Sequence, residues 1–215
     1  MRAVTALNAQ GLKRAVQQLA RREPVFAQLH REFGDPPLWR RPASFRTLVT
    51  IILEHKISLA SAQAVMQRVE AICKPFTPAV FLALDPDVIR SAGVSHAKVE
   101  YCRSIAQAIR SRQLTLTSLN ALDDDAVMQQ LVKVRGIGPW TAGVYITMVL
   151  CRPDAWASGD RALAVSVAES WALSSVPTYP ELDERARRWQ PYRGAASRLL
   201  WHVYLSRRAR TNATQ

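Results

Sequence analysis

The chain has 215 residues, of which 48% are hydrophobic, so it is long enough to bury a core as one compact domain or as two small lobes. Its three cysteines, Cys73, Cys102 and Cys151, lie far apart, which excludes a disulfide framework and a C-x-x-C metal site and predicts reduced thiols. The formal net charge is +12 and 24 of the 29 basic residues are arginine, which predicts a polyanionic partner, either a nucleic acid or an anionic membrane surface.

Start signals for helices recur along the first half of the chain. Small polar residues that accept hydrogen bonds from a first helical turn alternate with prolines that suit the first position of a helix. The predicted helices are, in chain order, Asn8 to about Arg22, Pro24 to Gly34, one from Ser44, one from Ser58 toward Lys74, two short ones from Thr77-Pro78 and Asp85-Pro86, and Ser95 to Arg112.

The second half of the sequence also has a helical pattern. Acidic residues at 123–125 precede apolar residues at helical spacing, which predicts a helix that ends at a glycine hairpin. Later predicted elements are Trp140–Leu150, a helix over 162–173 capped by Asp160, a short helix from Pro180 toward Trp189, Gly194–Arg210, and a frayed tail over 211–215. Because alternating β patterns and internal repeats are absent from the sequence, we predict an all-α fold.

The hairpin, Gly136-Ile137-Gly138, is the strongest functional signal. Two glycines allow positive φ and close approach of another backbone, and Pro139 suits the start of the next helix. The N-terminus of a helix binds anions, so the hairpin predicts a phosphate contact. A tight connection without any ligand is the alternative for the hairpin taken alone.

The segment VRGIGPWTA, followed twenty residues after Trp140 by Asp160, resembles the helix-hairpin-helix-GPD superfamily of DNA glycosylases, in its 3-methyladenine DNA glycosylase II branch. Three further segments resemble the same family in the same order, so the resemblance covers roughly residues 24–208. They are the helix pair with a DNA-probing loop at 44–69, the glycine–lysine segment at 93–105 and the segment WQPYRGAASRLLW at 189–201.

The resemblance implies one domain over residues 1–215, with the hairpin motif at about 123–151 and an active site in a cleft between two helical lobes. It implies a base-flipping enzyme that binds double-stranded DNA with a damaged base, in which Asp160 is catalytic and stabilises the developing positive charge on the sugar. The implied substrate-binding residues are Trp140, Trp201 and Tyr145. The implied DNA-binding residues are Arg135, Gly136, Gly138, Thr141, His55, Lys56 and Ser58.

Trp140 occupies the place where strand-cleaving relatives carry a Schiff-base lysine, and Lys133 lies one turn too early to replace it. The resemblance therefore implies a monofunctional enzyme that leaves an abasic site. No iron–sulfur cluster is expected because the last cysteine is Cys151, although hairpin carbonyls are expected to suit a monovalent cation. The N-terminus has no apolar signal-peptide core and no apolar run approaches a membrane span, so we expect a cytoplasmic monomer, nucleoid-associated if bacterial.

Three departures from the family pattern keep alternatives open. The probing loop reads His55-Lys56-Ile57-Ser58, with His55 or Lys56 where a residue would fill the gap left by a flipped base; Val144 and Gly159 also differ from common family residues. The alternatives are a glycosylase for deaminated or mismatched bases and a non-catalytic DNA-binding protein. At single positions, the two tryptophans are alternatively core, and Asp160 is alternatively only a helix cap. The helix start His96-Ala97-Lys98 contacts phosphate or is simply solvated, and Arg193 forms a salt bridge within the fold or contacts DNA.

Overall fold

The computed structural model of the chain describes residues 6–213, and within this range it is helical without any strand, which confirms the all-α prediction. Two short 3₁₀ segments, Ser118–Ala121 and Arg187–Trp189, accompany the α-helices. In chain order these are α1 (Ala9–Arg22), α2 (Pro24–Phe33), α3 (Phe45–Glu54), α4 (Leu59–Ile72), α5 (Pro78–Ala83), α6 (Pro86–Ser91), α7 (His96–Arg110), α8 (Asp124–Val132), α9 (Pro139–Met148), α10 (Arg161–Ser170), α11 (Tyr179–Ala186) and α12 (Arg193–Ala213).

Side-chain caps start most of these helices where the sequence predicts them. Each cap accepts a hydrogen bond from a backbone N–H of the first turn, which has no partner inside the helix. The predicted caps confirmed in this way are Asn8, Ser44, Ser58, Thr77, Asp85 and Asp160.

The last helix corrects the predicted tail. α12 continues to Ala213, beyond the predicted end at Arg210. Thr211 stays within the helix, and its hydroxyl donates to the carbonyl of Arg207 at 3.1 Å, four residues earlier. Residues 214 and 215 of the predicted tail lie outside the described residues, as do residues 1–5 of the N-terminal segment that was compared with a signal peptide.

The chain divides into two compact units. The first comprises residues 41–145, in which α3 packs against α4 and α7, and α5 and α6 also pack against α7. Its core contains apolar side chains that are almost completely buried, among them Leu48, Ile51, Phe81, Ile89 and Ile105. This unit carries the probing loop and the glycine hairpin.

The second unit comprises residues 6–40 together with 146–213. In it α1 packs against α2, and α12 packs against α1, α2 and α10. Phe26 meets Trp171 and Trp189 edge to face, with ring centroids 5.3 and 5.2 Å apart. This unit carries Asp160. The prediction of one domain over 1–215 stays a prediction.

In the described part of the chain, no helix combines the length and the apolar character that a membrane span requires.

Candidate nucleic-acid interface and active site

The hairpin between α8 and α9 is a tight turn built on backbone hydrogen bonds. The Asp123 side chain accepts from the Ala126 N–H at 2.8 Å and starts α8. After α8, the Val134 N–H donates to the Leu131 carbonyl and the Ile137 N–H to the Val134 carbonyl. Ile137, which is 3% exposed, fixes the turn to the core of the first unit.

The two glycines of the hairpin have different roles. Gly136 has φ +94°, and a Cβ atom there would lie 2.3 Å from the Cβ of Tyr101, so only glycine fits. Gly138 does not have a positive φ, which corrects the expectation that both glycines use this freedom. A Cβ at Gly138 would meet nothing within 4 Å, so the space in front of α9 is open.

This open space is lined by polar backbone. Among the described residues, the N–H groups of Gly136 and Gly138 have no acceptor, and Pro139 opens α9 without an N–H. Arg135 is exposed beside them, while the Thr141 side chain is buried, so that a DNA contact at Thr141 would use its backbone N–H. Unpaired N–H groups at a helix start suit a phosphate.

The loop between α3 and α4 lies beside the hairpin. Lys56 has a positive φ of 62°, which turns the chain, and the Ser58 hydroxyl accepts from the Ser61 N–H at 3.1 Å to start α4. The His55 ring lies over the Trp140 ring, with centroids 4.8 Å apart and planes tilted by 35°. The predicted DNA-binding loop and the hairpin tryptophan are therefore in direct contact.

Ile57 is the residue of this loop that the sequence analysis missed. Its apolar side chain is 43% exposed, next to exposed His55 and Lys56. Leu59, at the start of α4, is 50% exposed as well. Apolar side chains that are exposed close together mark a contact with a partner. The signal was present in the sequence, because Ile57 is an apolar residue in an otherwise polar four-residue connection between helices.

Lys98, on α7, holds the start of this loop through two hydrogen bonds. Its Nζ donates to the carbonyls of Leu53 and His55, both at 2.8 Å, where α3 ends. A cation at the C-terminus of a helix satisfies carbonyls that have no partner in the helix. Burial lowers the pKa of Lys98. The structure gives Lys98 a role within the fold, which corrects the expectation of a solvated helix end.

Together these elements form an open groove of about 960 Å³ in the first unit. The hairpin residues 134–141, the loop residues 55–57 and the first turns of α7, with Ser95, Lys98 and Tyr101, line it. The DNA-binding residues predicted in this unit, apart from Ser58, all line this one groove.

Asp160 lies in the second unit, at the start of α10. The residue is 6% exposed, and its Oδ1 accepts from the Leu163 N–H at 2.8 Å and from the Trp201 Nε1–H at 3.2 Å. Trp201 is itself 7% exposed. Asp160 is therefore a helix cap, as predicted, and also a buried carboxylate whose orientation is fixed by an indole.

The loop before Asp160 is held at two places. Asp154 accepts hydrogen bonds from the backbone N–H, Nε and Nη2 of Arg193, at 3.1, 3.0 and 2.7 Å. Arg193 thus stabilises the fold, which decides between the two roles left open for it. Further along, Asp183 on α11 accepts from Trp156 Nε1 at 2.7 Å and from Ser158 Oγ at 2.5 Å.

The aromatic residues predicted to bind the base differ in exposure. Trp140 is half-buried and lies under His55, whereas Tyr145 is completely buried. The Tyr145 hydroxyl has no hydrogen-bond partner among the described residues, and burial raises the pKa of Tyr145 above its ordinary value. The described residues contain no cluster of His, Cys, Asp and Glu that is suited to a metal ion.

The class of protein follows from three features: an all-helical fold, a glycine hairpin with an open helix start, and a buried aspartate at a second helix start. They define a helical protein with a candidate phosphate-binding site and an acidic catalytic candidate. A family model described as HhH-GPD superfamily base excision DNA repair protein matches residues 49–191, more than half of the chain. The chain belongs to this family.

Individual relatives are distant but match along most of the chain. The alkylbase DNA glycosidase-like protein mag2 of Schizosaccharomyces pombe is 24% identical over 198 residues, which cover 89% of this chain and 93% of that protein. The crystal structure of DNA-3-methyladenine glycosidase from Bacillus halodurans is 26% identical, with a TM-score of 0.73 over 88% of each chain. The 3-methyladenine DNA glycosylase Mag1 of S. pombe, solved with abasic DNA, shares the fold at 21% identity, with a TM-score of 0.74 over 89% of this chain and 95% of that one.

Proposed function

We propose that the protein is a monofunctional DNA glycosylase of base excision repair that removes alkylated purines, such as 3-methyladenine and 7-methylguanine, and leaves an abasic site. The observation that carries this proposal is Asp160, a buried carboxylate fixed by two hydrogen bonds, in a chain of a base excision repair family. The alkylbase and 3-methyladenine names of relatives support the substrate class.

DNA docking uses the groove of the first unit. The free N–H groups of Gly136 and Gly138 bind a backbone phosphate, and Arg135 adds a charged contact. Hairpin carbonyls hold a monovalent cation in this proposal, and no iron–sulfur cluster takes part. The enzyme acts as a monomer in the cytoplasm.

Chemistry on the base requires its extrusion from the duplex. In this proposal the loop of His55, Lys56 and Ile57 fills the gap, with Ile57 as the apolar wedge because its side chain is exposed beside two polar neighbours. An alkylated purine is positively charged, so aromatic faces attract it through cation–π interactions as well as dispersion. Trp140, Trp201 and Tyr145 remain the proposed substrate-binding residues.

Asp160 acts on the sugar. As the bond between C1′ and the base nitrogen breaks, positive charge develops on the sugar and a fixed carboxylate stabilises it. The electron pair of the broken bond leaves with the base, which neutralises the positive charge of the alkylated purine. Water adds to C1′ and loses one proton to the solvent. Because Trp140 stands where a Schiff-base lysine would be needed, the strand remains intact.

The test is release of a base from a duplex with a single 7-methylguanine, with wild type and Asp160→Asn compared in parallel. Asparagine also caps helices, so the variant keeps the start of α10 while it loses the negative charge. We expect the release rate to fall by about 10² to 10³. Strand breaks should appear only after alkali treatment.

Tight DNA binding by the wild type without base release would contradict the alkylpurine assignment. Duplexes with deaminated or mismatched bases, measured in the same assay, then test the alternative specificity. Strand breaks before alkali treatment would contradict the monofunctional mechanism.

A further inference from the structure

We propose that Asp183 is a positioning residue for the reaction, because it holds the loop that ends in Asp160. This inference rests on the catalytic role proposed for Asp160. Asp183 lies on α11, more than twenty residues after Asp160 in the sequence, and it is half-buried.

The carboxylate of Asp183 uses both oxygens on one short segment. Oδ1 accepts from Trp156 Nε1 at 2.7 Å, and Oδ2 accepts from Ser158 Oγ at 2.5 Å. Hydrogen bonds to a charged acceptor are stronger than those between neutral groups. The second of them attaches the chain two residues before Asp160.

Only Gly159 separates this attachment from Asp160. It has φ +83°, a backbone conformation that favours glycine, and a Cβ atom there would meet nothing within 4 Å. The Asp160 N–H donates to the Ala157 carbonyl at 3.3 Å, which is a long hydrogen bond. The hydrogen bonds of Asp183 therefore hold the segment just before Asp160, in addition to those that Leu163 and Trp201 donate to the Asp160 carboxylate.

Helix α11 is a rigid support for this contact. Its first turn has a reciprocal capping box, in which the Thr178 hydroxyl accepts from the Glu181 N–H and the Glu181 side chain accepts from the Thr178 N–H. Leu182 and Ala186 of this helix are buried and fix it to the rest of the unit. Asp154 holds the other end of the loop through Arg193, so that carboxylates hold the loop at both ends.

The decisive measurement compares Asp183→Ala with Glu184→Ala in single-turnover base release. Glu184 is the next residue on α11, and its side chain pairs with exposed Arg187 within the described part of the chain, so it controls for the loss of an acidic side chain from the same helix. Because misplacement of a catalytic group by about 1 Å costs about 10²-fold in rate, we expect Asp183→Ala to be about 10- to 100-fold slower. The affinity for abasic DNA should stay within about twofold, since the groove of the first unit is unchanged.

Two further variants separate positioning from folding. Asp183→Asn still accepts from Trp156, and the Ser158 hydroxyl can accept from its amide, so this variant should recover most of the rate. Ser158→Ala should be slower than wild type, and the double variant Ser158→Ala with Asp183→Ala should be little slower than Asp183→Ala alone, because both remove the same contact.

A wild-type rate in Asp183→Ala overturns the proposal, as does a parallel loss of rate, DNA affinity and melting temperature. Additive effects of Ser158→Ala and Asp183→Ala would also contradict it. Hydrogen exchange at the Leu163 amide, which Asp160 caps, reports the position of Asp160 without any substrate. If the wild type releases no alkylated base but Asp183→Ala still accelerates this exchange, the positioning role stands and the proposed function fails. If the wild type is active and Asp183→Ala leaves the exchange unchanged, the proposed function stands and the positioning role fails.

Discussion

Gly136 and Gly138 show how two identical residues in one turn meet different demands. Gly136 combines a positive φ with contact to the Tyr101 side chain, whereas the missing side chain of Gly138 leaves space that nothing in the described chain fills. The first glycine is needed for the fold of the hairpin, and the second is needed for access to the start of α9.

This difference predicts separate effects of alanine at the two sites. Gly136→Ala should lower the free energy of unfolding by about 2 kcal/mol or more, because it adds a positive-φ penalty to a clash with Tyr101. Gly138→Ala should change stability by less than about 0.5 kcal/mol and weaken DNA binding, since its methyl group enters the phosphate space. Urea unfolding and a DNA titration measure both quantities. Equal stability of the two variants would contradict the assigned roles.

Cys102 predicts how stability depends on alkaline pH. The thiol is 1% exposed, and burial raises the pKa of Cys102 from 9.0 to about 12 although Lys98 opposes the shift. The unfolded chain therefore loses this proton near pH 9 while the folded chain keeps it. The stabilisation is fully present below pH 9 and is lost as the pH rises toward 12.

We expect a slope of about 1.4 kcal/mol per pH unit from this group in that range. Cys102→Ala should be less stable than wild type at every pH because its side chain is smaller. Its unfolding free energy should also fall less steeply with pH, by the slope that one ionising group contributes. Urea titrations at several pH values from about 8 to about 11 measure the slopes. Identical slopes for both proteins would show that Cys102 ionises equally in the folded and unfolded chains.

At the scale of elements, the loop between α3 and α4 depends on a helix that lies far away in the sequence. Lys98 on α7 binds the carbonyls of Leu53 and His55 at the end of α3. The loop is exposed, so this ammonium group supplies much of its order. The position of the proposed wedge Ile57 therefore depends on a residue that makes no proposed contact with DNA.

Lys98→Met keeps the aliphatic length of the side chain and removes its three donors. Two carbonyls at the end of α3 lose their partner, and only the bond to Leu53 is part-buried, so we expect a stability loss of about 1 kcal/mol and weaker extrusion of a fluorescent base analogue from bound DNA. Lys74→Met, at an exposed lysine after α4, is the control. Normal extrusion in Lys98→Met would mean that the loop keeps its position without the ammonium group.

The helices were predictable from the sequence because their signals are local: caps such as Ser44 and Asp160, prolines at first positions and apolar spacing all act within one or two turns. The short 3₁₀ segment Ser118–Ala121 has no such signal and was missed. Long-range partners were not predictable either. Nothing in the sequence near Asp183 or Lys98 indicates that the folded chain places them against Ser158 or His55, since packing of α11 and α7 decides those contacts.

At the scale of the whole molecule, positive charge remains after the acidic residues are paired. Arg207 and Arg208 both pair with Glu169, so one carboxylate serves two arginines. Basic residues outnumber acidic ones, and the formal net charge is +12. Exposed pairs of this kind contribute little to stability. The excess of positive charge instead favours the binding of a polyanion such as DNA.

DNA binding should therefore depend strongly on salt. A protein that contacts several phosphates loses about 10³ or more in affinity between about 50 and 200 mM salt, and we expect a linear fall of log K with log salt for undamaged and damaged duplexes alike. The single-turnover rate at saturating enzyme should change far less, because it follows docking. A salt-independent affinity would contradict a phosphate-dominated interface.

The order of the two units along the chain has a consequence for biosynthesis. Residues 41–145 are one continuous segment, whereas α1 and α2 pack with residues that follow Tyr145. On the ribosome, the first unit is complete while α1 and α2 still expose apolar residues such as Leu19, Phe26 and Leu29. The segment of α1 and α2, which is synthesised before residues 41–145, thus waits longest for its partners, and we expect a chaperone to bind it during translation.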